Sequence, residues 1–243
     1  ALAGCSSLPD DGAAVTPQRP TFSSDTSTTA AGTFELEGGI ALDPGSTFTS
    51  PLALKYGAAD NTEFTLAVSP YNVVKDERGE VAGISDVVVG ARHCFWRSEG
   101  GTSAAFQIGT KLGTGDREDG FSTGETDFTV AGILNQTIGS RVVANLYYEE
   151  GLFGDPFNPG IDSGRTITLL GGYAFDERLA GFVEIAQLIA DDGDDPLIST
   201  LGFTKLVVPR LAIDAGVAIG LNGDAADLAL IVGLTMNLGG PAR

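Results

Sequence analysis

The sequence predicts an all-β protein: a single twelve-stranded antiparallel up-and-down transmembrane β-barrel. Three observations carry that prediction. Runs of about ten residues of alternating character recur between turn-forming breaks, near 33–42, 47–57, 62–71, 84–96, 103–113, 125–137, 141–151, 165–175, 179–189, 196–207, 211–221 and 227–238. Strands in globular domains average about five or six residues, whereas a tilted strand needs roughly nine to eleven to cross a membrane. The breaks are asymmetric: those after segments two, four, six, eight and ten are tight (AADN, RSEGGT, IGS, DER and VPR), whereas NVVKDERGEVAG, TGDREDGFSTG and LFGDPFNPGIDSG are long. Composition agrees, with 34 Gly, one Met and recurrent Val, Ile, Thr, Leu and Phe, the signature of strands and turns rather than helices.

Taken in order, the chain opens with Leu2-Ala3-Gly4-Cys5, a lipobox pattern. Residues 1–5 are therefore expected to be the remnant of a lipoprotein signal, with Cys5 as the lipidation site. The Ser, Pro, Thr and Gly-rich stretch over 6–32 reads as a flexible periplasmic linker, and 33–239 as the outer-membrane barrel.

Each barrel segment has a polar inner face. The first puts Glu35, Glu37 and Gly39 on one side, the second Lys55, the third Glu63 and the fourth Asp86, Gly90 and Arg92. The fifth contributes Gln107, Gly109 and Lys111, the sixth Asp127, the seventh Asn145 and Glu149, the ninth Glu184 and the eleventh Asp214. A mixture of isolated charges and very small residues suits a crowded lumen better than a water-facing sheet, because Gly weakens strands. In the eleventh and twelfth segments the alternation is strict: Leu211, Ile213, Ala215, Val217, Ile219 and Leu221 share one face, as do Leu228, Leu230, Val232, Leu234, Met236 and Leu238. Carboxylates on the inner face require partners, and Lys55, Arg92, Lys111 and Arg165 are the expected ones.

The two rims differ in charge. Arg97, Arg141, Arg178 and Arg210 sit at or beside tight turns, whereas Asp116, Glu118, Asp119 and the run Asp191, Asp192, Asp194 and Asp195 lie in the other breaks. An even strand number puts both termini on the short-turn rim, which in outer-membrane barrels is periplasmic.

Several functions are disfavoured. A formal net charge of −18 argues against a nucleic-acid partner. Two cysteines, Cys5 and Cys94, carry no zinc or redox spacing. A Ser-His-acid hydrolase would need His93, which the alternation places on the outward face. The pairs Glu35 with Glu37 and Glu149 with Glu150 read as wall or rim charges rather than an acid-base couple. The DDGDD and GDREDG loops lack the spacing of a calcium loop, and LGTGDREDG lacks the Lys and Ser or Thr of a phosphate loop. No catalytic residue, metal site or cofactor is expected.

The stretches LALKYGAADNTEFTLAV, GISDVVVGARHCFW, YAFDERLAGFVEI and IDAGVAIGLNGDAADLALIVGLTMNL, in that order, resemble the outer-membrane transporter-like family associated with the meta pathway of phenol degradation. The likeness runs from about Arg19 to Leu238. It implies a twelve-stranded barrel in the bacterial outer membrane, with lipid around it and a transport role for small solutes, aromatic or hydrophobic compounds among them. The chain departs from common barrel habits in ending its last strand at Leu238, before Gly-Gly-Pro-Ala-Arg, and in having one Trp and five Tyr for its aromatic girdles. The expected function is passage or binding of small solutes. The alternative is a non-conducting structural or surface-interaction barrel with acidic external loops.

Overall fold

The computed structural model describes residues 14–76, 79–154, 161–191 and 193–240. Cys5 and Asp192 lie outside the described residues. The elements are β1 (Phe34–Asp43), β2 (Thr47–Thr49), β3 (Leu52–Ala59), β4 (Thr62–Val68), β5 (Asn72–Asp76), β6 (Gly79–Gly83), β7 (Val87–Arg97), β8 (Thr102–Leu112), β9 (Asp127–Ile138), β10 (Val142–Gly154), β11 (Ile161–Ala174), β12 (Leu179–Ala190), β13 (Leu197–Val208), β14 (Leu211–Gly220) and β15 (Leu228–Gly239). Each barrel strand pairs antiparallel with its neighbour, and β15 returns to β1 in a register running from Phe34↔Gly239 to Leu42↔Leu230. Twelve strands thus close a barrel, and β2, β5 and β6 extend it at one rim.

That extension departs from the sequence expectation in two places. The segment expected over 47–57 is split at Ser50-Pro51, because Pro has no N–H for the ladder; Pro51 serves only as an acceptor, its carbonyl taking the Gly39 amide at 3.1 Å. The expected loop over 72–83 contains the β5–β6 hairpin, held to the sheet through β2 by the pairs Thr47↔Val74 and Thr49↔Asn72.

The side-chain period of two decides which face is which. Along β15 the residues Leu228, Leu230, Val232, Leu234, Met236 and Leu238 are all exposed, whereas Thr235 and Asn237 between them are buried. The same inversion holds elsewhere: Phe64, Ile108, Val130, Leu169 and Phe203 point out while Glu63, Ser103, Asn135, Thr168 and Thr200 are buried. An apolar outer wall around a polar interior is the arrangement of a barrel immersed in hydrocarbon. Closure leaves the twelve-stranded wall without an edge, so its backbone groups pair within the ladder, as a membrane demands.

The linker reading fails for residues 14–32. Val15, Thr16, Pro20, Ser23 and the run from Thr26 to Ala30 are buried. They enter the barrel beside Gly57, whose carbonyl accepts the Gly32 amide at 2.7 Å. The physical reason is that a segment rich in Ser, Thr and backbone N–H is a good ligand for a lumen lined by acceptors.

Candidate functional site: a plugged lumen

Followed backwards from β1, the segment makes one circuit of the inner wall. Thr29 donates its amide to Glu63 on β4 at 2.7 Å, and the Thr26 hydroxyl meets Ser103 on β8 at 2.6 Å. Asn145 on β10 donates to the Ser24 carbonyl at 3.2 Å. The amides of Phe22 and Ser23 both donate to Glu184 on β12, at 2.8 and 2.9 Å. Arg19 reaches Asp214 on β14 and the Val232 carbonyl on β15, and the Gln18 and Thr16 amides then donate to Glu37 and Glu35 on β1, each at 2.8 Å. The Thr16 carbonyl finally accepts from Lys55 on β3, also at 2.8 Å. Across the middle, the side chains of Gln18 and Asp25 brace the two limbs of the segment, with the Asp25 amide donating to Gln18 and Gln18 donating back to Asp25.

This explains how the wall carries buried carboxylates. A buried ionised glutamate is costly without hydrogen bonds and a counter-charge. Lys55 bridges Glu35 and Glu37 at 2.7 and 2.8 Å, and Arg92 pairs with Glu63. Segment amides donate in addition to Glu35, Glu37 and Glu63, and hold Glu184.

Inward glycines make the room. A Cβ on Gly57 would collide with the backbone of Thr29 and Ala30, and one on Gly39 or Gly233 would strike the Arg19 side chain and also a carbonyl of the neighbouring strand, that of Val232 or Gly38. A Cβ on Gly216 would lie 3.2 Å from Pro20. Two cavities border the segment and Arg19 lines both: one of about 240 Å³ beside Glu37, Ala53, Ala67 and Asp86, the other of about 50 Å³ beside Gln18, Asn135, Asn145, Leu170 and Phe182.

Toward the opposite rim the wall carries a second polar cluster. Lys111 sits between Asp86 and Asp127 at 3.1 and 2.6 Å and donates to the Thr123 hydroxyl. Asp86 also accepts the Thr114 and Gly115 amides, both at 2.8 Å, and Asp127 accepts that of Gly154. Tyr147 donates to Glu149 at 2.6 Å.

The structure therefore buries Glu35, Glu37, Lys55, Glu63, Asp86, Arg92, Asp127, Asn145, Glu184 and Asp214, and half-buries Gln107, Lys111 and Glu149. It draws the first four, with Arg92, Asn145, Glu184 and Asp214, around the segment, and sets Asp86, Lys111, Asp127 and Glu149 apart toward the other rim. Arg165 does not join them. It shares a face with the outward Ile167 and Leu169 and pairs with Glu150 near a rim. His93 lies outward against Phe106, with Nδ1 2.9 Å from the Thr62 hydroxyl. Sequence reasoning missed Thr16, Gln18, Arg19, Ser23, Thr26 and Thr29. The available signal was an excess of inner-face carboxylates over wall cations.

Fold and site together define a membrane-spanning β-barrel whose lumen is filled by the chain's own N-terminal segment. The chain belongs to the family described as "Putative MetA-pathway of phenol degradation", whose model matches residues 8–238. Among solved structures it is similar to an outer membrane channel from Pseudomonas putida F1, with a TM-score of 0.72 and 12% identity over 90% of this chain and 100% of that one. It is also similar to the NanC porin, with a TM-score of 0.62 and 9% identity over 84% of this chain and 100% of that one. A comparison with curated proteins finds no match.

Proposed function

We propose that the chain is a bacterial outer-membrane channel for small solutes, without enzymatic activity, whose passage is closed by residues 14–32 in the conformation described. The observation that carries this reading is that the segment is joined to the barrel wall chiefly by hydrogen bonds from its amides and hydroxyls to wall side chains. Water can replace each of those bonds once the segment withdraws, so the barrel does not need its plug in order to remain a barrel. The similar channel and porin folds support the reading, and the family description is what favours aromatic solutes. In this reading the thirteen inner-face residues line the passage, the termini are periplasmic, the acidic loops face outward, and acylation at Cys5 is an accessory tether.

A second reading, a non-conducting barrel, is favoured by the same filled cross-section. Planar-bilayer recordings separate the two. The parent is expected to open rarely, and a Gly57→Val variant, whose new side chain occupies the space of the Thr29 and Ala30 backbone, is expected to show discrete openings. Silence from both proteins would favour the non-conducting barrel.

A further inference from the structure

We infer that the opened lumen selects for cations, and that Glu184 is the point at which a cationic group of the solute docks in place of the segment's amides. The inference rests on the channel reading above and names the solute class for it.

The argument begins with an asymmetry in the wall. Among the described residues the inward cations are Lys55 on β3, Arg92 on β7 and Lys111 on β8, and each is already in contact with wall carboxylates. From β9 round to β15 no inward Lys or Arg is present among the described residues: Arg165 is on the outer face, and so is Lys205, which alternates with the outward Leu201 and Phe203. Besides Asp127, which Lys111 holds, and Glu149, which accepts from Tyr147, that stretch of wall carries Glu184 and Asp214. Among the described residues Asp214 has one ion pair, with Arg19 at 3.7 Å, and neither carboxylate oxygen has a hydrogen bond. Glu184 is held by the amides of Phe22 and Ser23 and the Ser23 hydroxyl.

Withdrawal of the segment removes Arg19 and these donors together. Two carboxylates are then left on one side of a narrow lumen, with the wall's cations on the other side already engaged. Carboxylates lining a confined, low-dielectric passage concentrate cations and exclude anions. A second feature marks Glu184 as the docking point. Thr200 is its cross-strand neighbour on β13, and Thr168 lies on the adjoining β11. Both hydroxyls are fully buried, face inward and have no hydrogen-bond partner among the described residues. A carboxylate flanked by two spare hydroxyl oxygens suits an ammonium or guanidinium group, which has donors only.

The test is the reversal potential in a potassium chloride gradient across a planar bilayer. It uses the Gly57→Val variant and, as a second opened form, a variant lacking residues 14–32. Both are expected to reverse on the potassium side of zero, and millimolar guanidinium is expected to reduce the current. Adding Glu184→Gln is expected to shift the reversal potential toward zero and abolish the guanidinium block while the conductance persists. Chloride preference, or a block and reversal potential that Glu184→Gln leaves unmoved, would overturn the inference. Absence of current from both opened forms would overturn the channel reading, and this inference with it.

Discussion

Lys55 ties the wall and the segment together through a single nitrogen, which touches Glu35, Glu37 and the Thr16 carbonyl, each within 2.8 Å. Replacing it by Met keeps the stem and deletes the charge, leaving two carboxylates side by side in the same buried place. Removing one partner of a buried pair typically costs about 3–5 kcal/mol. Lys55→Met is therefore expected to lower stability by about that amount, read as a reduced midpoint in urea unfolding with unchanged slope. The turn residue Asp176 behaves differently, because it is exposed: the Arg178 and Leu179 amides donate to it and hold its carboxyl below the usual range. A depressed native value means that this support is present above the unfolded value of about 3.9 and is lost as pH falls through the native one. The difference in melting temperature between the parent and Asp176→Ala is accordingly expected at neutral pH and should vanish in strong acid. Inner-face residues such as Lys55 could be read from the sequence because a strand's period of two is rigid: fixing Glu35 as inward fixes Glu37, and the same rule placed His93 outward. Arg165 was misread because its charge, rather than its parity with Ile167 and Leu169, was taken as the guide.

The segment over 14–32 shows why partners are harder to read than faces. The barrel strands announce themselves locally, through alternation and tight turns such as that closed by Gly139, whose φ of 62° suits the left-handed region. The segment has no period, and its composition is that of a linker. Its structure comes from bonds to residues as far away as Glu184 and Val232, which no local pattern encodes. The inward glycines were visible, but only as small lumen residues. Their use became apparent once Ala30 was found against Gly57 and Arg19 against Gly39 and Gly233. Cys94 offers a reporter for this packing. It is buried on the inner face of β7, opposite Ala105 on β8 and two residues beyond Arg92, which pairs with the Glu63 that holds Thr29. In a Cys5→Ser background, Gly57→Val is expected to raise the rate of maleimide labelling at Cys94 by about tenfold, equivalent to ~1.4 kcal/mol toward the open state. An unchanged rate would mean that the segment tolerates the added side chain and that the glycine is incidental.

The whole barrel can be tested through its outer wall, because alternation alone fits either a lipid-facing barrel or a water-soluble one turned inside out. The burial of polar residues and exposure of apolar ones favour lipid, and that choice has an energetic consequence. Leu169 lies near the middle of β11 and is 61% exposed. At the midplane of a bilayer, Arg on the lipid face costs about 2–4 kcal/mol. On a water-facing strand the same substitution would usually stay within about 0.5 kcal/mol. Leu169→Arg is therefore expected to reduce the folded fraction when the chain is refolded from urea into phospholipid vesicles, as followed by the shift in gel mobility between heated and unheated samples. Leu152→Arg, near the rim at the end of the same β10–β11 pairing, should cost about 0–1 kcal/mol, since the penalty falls toward the interface. A graded loss from rim to midplane is what hydrocarbon around the wall requires. Equal tolerance at both positions would place water there instead, and the assignment of the two faces would have to be reversed.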